Sequence, residues 1–167
     1  MFHILTAFVT TIAFLSYFAM ATGDGICYHK NIPAKKEIIY REVYWARYVD
    51  WSITTPLLLL DLSLLAGLSG ANVLVAIVAD VIMVYAGLFA SFGKGDGQKW
   101  GWYTIACVAY LTIVYQLAYN GLAAVAGKDG KTKAFYSTIG GFTLLVWTIY
   151  PMFVVPDPWP PTLADLL

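Results

Sequence analysis

The sequence contains little charge. Asp, Glu, Lys and Arg make up 12% of its 167 residues, and the charges cancel to a formal net charge of zero. A soluble domain of this length would carry roughly twice that fraction of charged residues. A neutral chain also lacks the basic surface that nucleic-acid binding requires, so no nucleic-acid partner is expected. Hydrophobic residues make up 60% of the chain, which indicates a membrane protein.

Cysteine and histidine are also scarce, with two of each. Cys27 lies in a polar segment and Cys107 in an apolar one, and neither His3 nor His29 has a second ligand at metal-binding spacing. This pattern argues against a disulfide framework and predicts no metal site. The sequence also lacks a nucleophile with a paired base, so it predicts a protein that is not an enzyme.

Five apolar segments each approach the ~20 residues that a helix needs to cross the hydrocarbon of a bilayer. Backbone groups in lipid must be paired within the segment, so these segments are predicted to be helices and not strands. Short connections such as GLSGAN and GKDGKTK contain residues that end helices. We therefore expect an all-α, multi-pass protein of the plasma membrane or an internal membrane. The predicted spans cover residues 3–22, 43–66, 72–92, 100–123 and 134–155.

The second predicted span contains charged residues, in the stretch RYVDWSITTPLLLLDLSLL at 47–65. At ~100° per residue, Asp61 lies within about 20° of Asp50 around the helix and ~16 Å further along its axis. Thr54 lies about 40° from Asp50, and Arg47 about 60° on the other side. These four residues, the polar stripe, should face a bundle interior, and their spacing suits stations on a proton or ion path. The alternative is a stripe that only joins helices, with Arg47 neutralising Asp50.

Other polar and aromatic residues lie deep in the predicted spans. Asp80, between Ala79 and Val81, is a further candidate for a buried carboxyl. Trp51 and Trp147 lie deeper than the aromatics that usually mark a membrane interface. They either form the walls of a site for a flat apolar ligand or pack in the core.

The segments resemble a known family. YWARYVDWSITTPLLLLDLSLL is similar to the third helix of the microbial rhodopsins, the retinal-binding seven-helix class that includes bacteriorhodopsin. TIAFLSYFAM resembles the family's second helix, VADVIMVYAGLFA its fourth and WTIYP its sixth. KWGWYTIACVAYLTIVYQLAYNG looks most like fungal opsins of the carotenoid-cluster type. The resemblance covers about residues 3–151 and implies five helices of a seven-helix bundle. The function it implies is retinal-based, light-driven outward proton transport.

The resemblance implies a role for each charged residue of the polar stripe. Asp50 matches the Schiff-base counterion and proton acceptor, Asp61 the internal proton donor, and Arg47 the gate on the release side. A cation beside Asp50 favours its ionised form, and leucines around Asp61 favour its neutral form, which agrees with these roles. Asp80 matches a buried carboxyl that forms hydrogen bonds in the dark state. The residues that match the retinal pocket are Tyr48, Trp51, Thr55, Leu58, Met83, Gly87, Trp147, Tyr150 and Pro151.

The sequence departs from the family pattern at both ends. Residues 1–155 are expected to form the family's helices two to six, without counterparts of the first and seventh. Residues 156–167 carry four prolines and are expected to form an unrelated tail, since so many prolines exclude a spanning helix. The family's retinal-binding lysine belongs to the seventh helix. Every lysine here is predicted to lie in a loop, so covalent attachment of retinal is not expected in this chain.

These departures leave several points open. The competing functions are a proton-pump fragment that forms no covalent pigment and a retinal-independent, opsin-related membrane scaffold or stress protein. The change of pattern after Pro151 leaves a gene-prediction error as a third explanation. The family places the connections at 66–72 and 121–133 in the cytoplasm, whereas the count of Lys and Arg favours the inverted orientation. Expected partners are the lipid bilayer and protons, and homo-oligomer formation is left open.

Overall fold

Five long helices and one small β-hairpin make up the structure, a computed structural model that describes residues 2–31, 39–93 and 95–153. Five spans were predicted, and each of the long helices begins within about four residues of one of them. The fourth continues through a π-helical segment into a last short helical turn. The elements are α1 (Phe2–Thr22), β1 (Cys27–Asn31), β2 (Ile39–Val43), α2 (Trp45–Ala66), α3 (Gly70–Phe92), α4 (Asp96–Val114), the π segment (Tyr115–Gly121), α5 (Leu122–Val125) and α6 (Gly130–Phe153).

Four of the helical stretches among the described residues are long and apolar enough to cross a membrane: α1, α2, α3 and the continuous stretch from Asp96 to Val125. Helix α6 is 24 residues long but is not one of the four. Its sequence includes Lys131, Lys133 and the glycine pair Gly140 and Gly141, which lower its hydropathy.

The lysines are placed differently from the prediction that all of them lie in loops. Lys99, Lys131 and Lys133 lie in the first turns of α4 and α6. The reason is that both helices begin several residues before the apolar stretch that was predicted to span the hydrocarbon. A helix can continue into the interface, where Lys131 and Lys133 are exposed, whereas Lys99 is only 6% exposed.

The β-hairpin between α1 and α2 was not predicted from the sequence. Strands β1 and β2 pair antiparallel, with Cys27 opposite Val43 and Asn31 opposite Ile39. Near the hairpin, the segment that follows α1 is also bonded to the start of α2, because the Ala46 amide donates to the Gly25 carbonyl at 3.3 Å. A Cβ at Gly25 would lie 2.7 Å from that of Ala46, so this approach requires glycine.

Helix α2 is the central helix of the bundle. It packs against α1, α3 and α6, while α3 also packs along α4. The π segment contacts α2, α3 and α6, so the far half of α2 is surrounded. A closed apolar core forms there, and it consists of Leu59, Leu62, Ala66, Ala76, Ala79, Ile113, Leu117, Val125 and Tyr136.

Tyr136 of α6 explains how the π segment joins this core. Its hydroxyl donates to the Leu117 carbonyl at 2.8 Å, and its side chain is fully buried. A π-helical turn moves carbonyls off the regular α-helical hydrogen-bond ladder, so they can accept from side chains. A Cβ at Gly121 would overlap the Tyr136 hydroxyl, so glycine is required for the close approach of the two helices.

Candidate functional site

The polar stripe is buried at its centre. Asp50 and Thr54 are 2% and 4% exposed. The Thr54 hydroxyl donates to the backbone carbonyl of Asp50 at 2.9 Å, so it is satisfied within its own helix. Asp50 Oδ1 is buried and has no hydrogen-bond partner among the described residues. A buried carboxyl oxygen without a partner is costly, and such groups mark functional sites.

Arg47 contacts aromatic rings. Its guanidinium carbon lies 5.4 Å from the centre of the Tyr44 ring and 5.8 Å from that of Trp51. Both distances are within the range of a cation–π interaction. Within the described part of the chain, Arg47 forms no ion pair with Asp50, so the alternative in which it simply neutralises that carboxylate gains no support.

Asp61 lies on the same face as Asp50, in the half of α2 that belongs to the apolar core. Its neighbours Leu59 and Leu62 are 0% and 6% exposed. Its Oδ1 atom is buried and has no hydrogen-bond partner among the described residues. Leu59 and Leu62 thus belong to the apolar core, while Asp61 itself is half-buried, and its role as a donor stays a prediction.

Asp80 joins α3 to α2 through Thr55. The Thr55 hydroxyl lies 2.6 Å from Asp80 Oδ2 and also 2.6 Å from the backbone carbonyl of Trp51. A hydroxyl has one hydrogen, so the two short contacts require either a shared hydrogen or a proton on Asp80. Asp80 is fully buried, as its position within the third span predicted.

A cavity of about 460 Å³ opens beside this stretch of α2, between α2, α3, α4 and α6. Its volume lies within the ~300–1,000 Å³ that is typical of ligand sites. Six of the nine residues predicted for a ligand pocket line it: Tyr48, Trp51, Thr55, Met83, Gly87 and Trp147. Leu58 is not among the lining residues; it lies one turn beyond Thr55 and is 36% exposed. The side chains of Tyr150 and Pro151 lie outside the described part of the structure.

The prediction missed one whole wall of the cavity, which α4 supplies. Tyr103, Ala106, Cys107 and Tyr110 follow each other at intervals of three, one and three residues, which places them on one helical face. That spacing was available in the sequence as a signal. The cavity is completed by Val84 of α3 and by Val146 and Ile149 of α6.

Hydrogen bonds and ring contacts fix the wall between α2 and α3. The hydroxyl groups of Tyr48 and Ser91 lie 2.5 Å apart, and Ser91 also donates to the Gly87 carbonyl at 3.0 Å. The rings of Tyr48 and Trp51 meet edge to face, with centres 5.8 Å apart. A side chain at Gly87 would project toward the Tyr48 ring, with its Cβ 3.5 Å away, so glycine keeps this part of the cavity open.

The walls fit a flat apolar ligand. Aromatic rings line much of the space, and the remaining side chains are aliphatic, small or sulfur-containing; the aromatic residues are Tyr48, Trp51, Tyr103, Tyr110 and Trp147. Asp50 is not among the lining residues, but it directly precedes Trp51, which is, and its buried, unpartnered oxygen suits a cationic or proton-donating group.

Comparison with known proteins decides the family. The sequence profile of the family described as bacteriorhodopsin-like protein matches residues 1–157. The chain belongs to this family. Opsin-1 of Neurospora crassa is 48% identical over 162 residues, which cover 91% of this chain and 53% of that protein. The bacteriorhodopsin of Haloterrigena sp. is 36% identical over 151 residues, which cover 90% of this chain and 58% of that protein.

Solved structures give the same result. The light-driven proton pump LR (Mac) from Leptosphaeria maculans superimposes with a TM-score of 0.86 at 54% identity, covering 90% of this chain and 65% of that one. The light-driven proton pump of Coccomyxa subellipsoidea superimposes with a TM-score of 0.84 at 32% identity, covering 92% and 66%. The chain thus spans about half the length of the N. crassa relative and about two thirds of these structures.

The family assignment confirms several predictions. This bacteriorhodopsin-like protein is an integral, multi-pass membrane protein with helices of the seven-helix rhodopsin bundle. Its similarity to fungal opsins is confirmed by the N. crassa relative. The family uses retinal as its chromophore, and its members are light-driven pumps and photoreceptors, not enzymes of the usual kind.

Proposed function

We propose that this chain contributes the retinal cavity and the proton-transfer stripe of a light-driven, outward proton transporter. One observation carries the proposal. Asp50 and Asp61 share one face of α2, while Tyr48, Trp51 and Thr55 of the same helix line the cavity. A proton acceptor, a ligand site and a second carboxyl therefore lie along one spanning helix, with the two carboxyls ~16 Å apart along its axis.

Asp50 is the proposed proton acceptor. Its Oδ1 atom is buried and unpartnered, so it can take up a proton without breaking a hydrogen bond of the helix. Arg47 lies one turn nearer the start of α2, over the rings of Tyr44 and Trp51. Because Arg47 is held by cation–π contacts and not by an ion pair with Asp50, it can move when the charge of Asp50 changes, which is the property of a release gate.

Asp61 is the proposed donor on the opposite side of the cavity. The leucines beside it favour the form that still carries its proton. It therefore holds a proton ready for delivery toward the cavity, about half the hydrocarbon thickness away. Proton transport across the bundle needs both carboxyls, one on each side of the ligand.

The cavity residues would hold retinal between aromatic walls. Trp51 and Trp147 supply flat surfaces, Met83 fills irregular gaps, and Gly87 keeps space open beside Tyr48. Bound retinal supplies the absorption of light and the change of shape that drives the proton transfers. The protein supplies the shape of the site and the two carboxyls.

The lysines set a limit on what this polypeptide does by itself. Among the lysines whose side chains the structure describes, namely Lys99, Lys128, Lys131 and Lys133, none lines the cavity. We therefore expect no covalent pigment from this chain alone. The same observation favours the second candidate function, a retinal-independent, opsin-related membrane scaffold or stress protein.

Two preparations test the proposal. Membranes that contain the chain alone are first treated with all-trans retinal, and no pigment that absorbs visible light should form. Subsequent reduction with borohydride should yield no covalent adduct of retinal and the chain. A chimera with the segments of the L. maculans pump that this chain does not cover should form a pigment and acidify the outer medium in light. A matched chimera without its retinal-binding lysine is the control. A chimera that forms the pigment but moves no protons would favour the scaffold function.

A further inference from the structure

Tyr110 lines the cavity on the side that adjoins the closed apolar core. It is the last of the four α4 residues that line the space, ~10 Å along the helix from Tyr103. It is only 9% exposed, although it borders a cavity. The next turns of the helix on this face bring Ile113 and Leu117, which belong to the closed apolar core. The Tyr110 ring thus stands between the cavity and the core.

The hydroxyl of Tyr110 is bound to α6. It donates to the Leu144 carbonyl at 3.2 Å and lies 2.5 Å from Thr148 Oγ1. Thr148 in turn donates to the Leu144 carbonyl at 2.6 Å. We call these three residues the Tyr110 clasp. They join α4 to α6 through contacts that are 34 and 38 residues apart in the chain.

The clasp determines which part of the Tyr110 side chain a ligand in the cavity can contact. Its hydroxyl is engaged with two atoms of α6, so the cavity meets the ring and not a free donor. The neighbouring wall residues Met83 and Trp147 pack against the core, as does Leu144. On this side the cavity therefore has an apolar wall, which the hydrogen bonds of the Tyr110 hydroxyl hold in place.

We infer that Tyr110 is a specificity-determining residue that sets the length of polyene the cavity accepts, with the clasp holding it in place. The inference rests on the proposed function, since it concerns the same retinal cavity. A ligand whose apolar end stops at the ring fits, while a longer one would have to displace Tyr110 and open the core. Hydrophobic pockets commonly discriminate about 10-fold or more per added carbon group.

A binding experiment tests the specificity. The full chain in lipid nanodiscs is titrated with all-trans retinal and with a polyene aldehyde one isoprene unit longer, and quenching of tryptophan fluorescence reports binding. The wild type should prefer retinal. Tyr110→Leu should shift the preference toward the longer ligand by about 10-fold or more, whereas Tyr110→Phe, which keeps the ring but removes the clasp, should shift it by less. If Tyr110→Leu does not fold, Tyr110→Met takes its place.

Tyr119→Leu is the matched control, because Tyr119 lies on the same continuous helix but is 66% exposed and lines no part of this cavity. Retinal binding with an unchanged preference in Tyr110→Leu would overturn the specificity. Failure of every variant of the chain to bind either polyene would overturn the specificity, while the proposed retinal function is tested separately by pigment formation in the chimera.

A second measurement tests the clasp without any ligand. Tyr110→Phe and Thr148→Val should each lower the apparent melting temperature in detergent micelles. The double variant should lose less than the sum of the two shifts, because both changes remove the same contact. Thr104→Val is the control, since Thr104 donates only to a carbonyl of its own helix. Additive shifts would show that the clasp does not exist in the folded protein.

Discussion

The two halves of α2 have different surroundings. The first half carries Asp50, Thr54 and Thr55 beside a cavity of about 460 Å³. The second half carries Leu59, Leu62 and Ala66 in a core that Tyr136 and the π segment close. Small and aromatic residues leave space beside the first half, while leucines and alanines fill the space around the second. Changes beside the cavity in the first half should therefore alter transport more than folding, and changes of the core residues in the second half the reverse. Asp61 is the exception in the second half, because its carboxyl is proposed to carry protons.

The largest effect is expected for Asp50→Asn in the chimera. Removing the acceptor should reduce light-driven proton transport by at least about 10²-fold, since proton transfer by a positioned group contributes that much. It should also shift the pigment to longer wavelength, because a negative charge beside the ligand is lost. Absorption spectra and acidification by equal amounts of folded pigment check this, and undiminished transport would remove Asp50 from the acceptor role.

Asp61→Asn should have a narrower effect in the same chimera. Its colour should stay nearly unchanged, because Asp61 lies ~16 Å along the helix from Asp50. Reprotonation should slow by about 10²-fold, and added azide should restore its rate by carrying protons to the site. Flash photolysis checks this, and unchanged kinetics would contradict the donor assignment. If both substitutions changed only the yield of folded protein, the stripe would be structural.

Gly121→Ala tests the core around the second half of α2. It should destabilise the fold without changing the pigment's colour. The new methyl group would overlap the Tyr136 hydroxyl, so α6 must shift away from the π segment. Forced rearrangements of packed side chains typically cost about 1–3 kcal/mol. Unfolding in mixed micelles measures the loss. Gly101→Ala is the control, because a Cβ at that helical position meets nothing within 4 Å.

Thr55→Val tests whether the polar contacts of the cavity half also contribute to stability. The change removes the 2.6 Å hydrogen bond to Asp80 and leaves that fully buried carboxyl without this partner. We expect a loss of about 1 kcal/mol, as for other buried hydrogen bonds. Thr138→Val, which removes only a bond to an exposed carbonyl of its own helix, should have no comparable effect. Equal losses would show that the Asp80 contact contributes nothing specific.

The smallest expected effect is a pH dependence of stability. It arises at the start of α6, outside both halves of α2. The Thr132 hydroxyl and amide donate to the Asp129 carboxylate at 2.6 and 3.1 Å, and these hydrogen bonds lower the pKa of Asp129. The resulting stability is complete above the unfolded-state pKa and is lost as pH falls through the lower folded-state value. Melting temperatures should change by about 1–2 °C over that window. Asp129→Asn should abolish this part of the pH dependence.

The polar stripe could be predicted because it is a local property of one helix. The angle between Asp50 and Asp61 follows from their spacing alone. The β-hairpin could not be found in this way, since the pairing of Cys27 with Val43 depends on residues far apart in the chain. The α4 wall was missed for another reason. Apolar residues surround a membrane helix on all sides, so hydropathy does not distinguish Ala106 and Cys107, which face the cavity, from Ile105 and Val108, which are largely exposed.

The π segment was also invisible in the sequence, because YQLAYNG reads as ordinary apolar helix. Its wider turn holds one more residue than an α-helical turn does. One added residue rotates everything after it by ~100° about the helix axis. The segment thus acts as an insertion that changes the angular phase of the chain, turning Val125 into the core while Tyr110 keeps its position at the cavity. Straightening Tyr115–Gly121 into regular α turns without removing a residue would turn the wrong face of α5 toward Tyr136, whereas a single-residue deletion there would restore a regular helix and keep Val125 in the core.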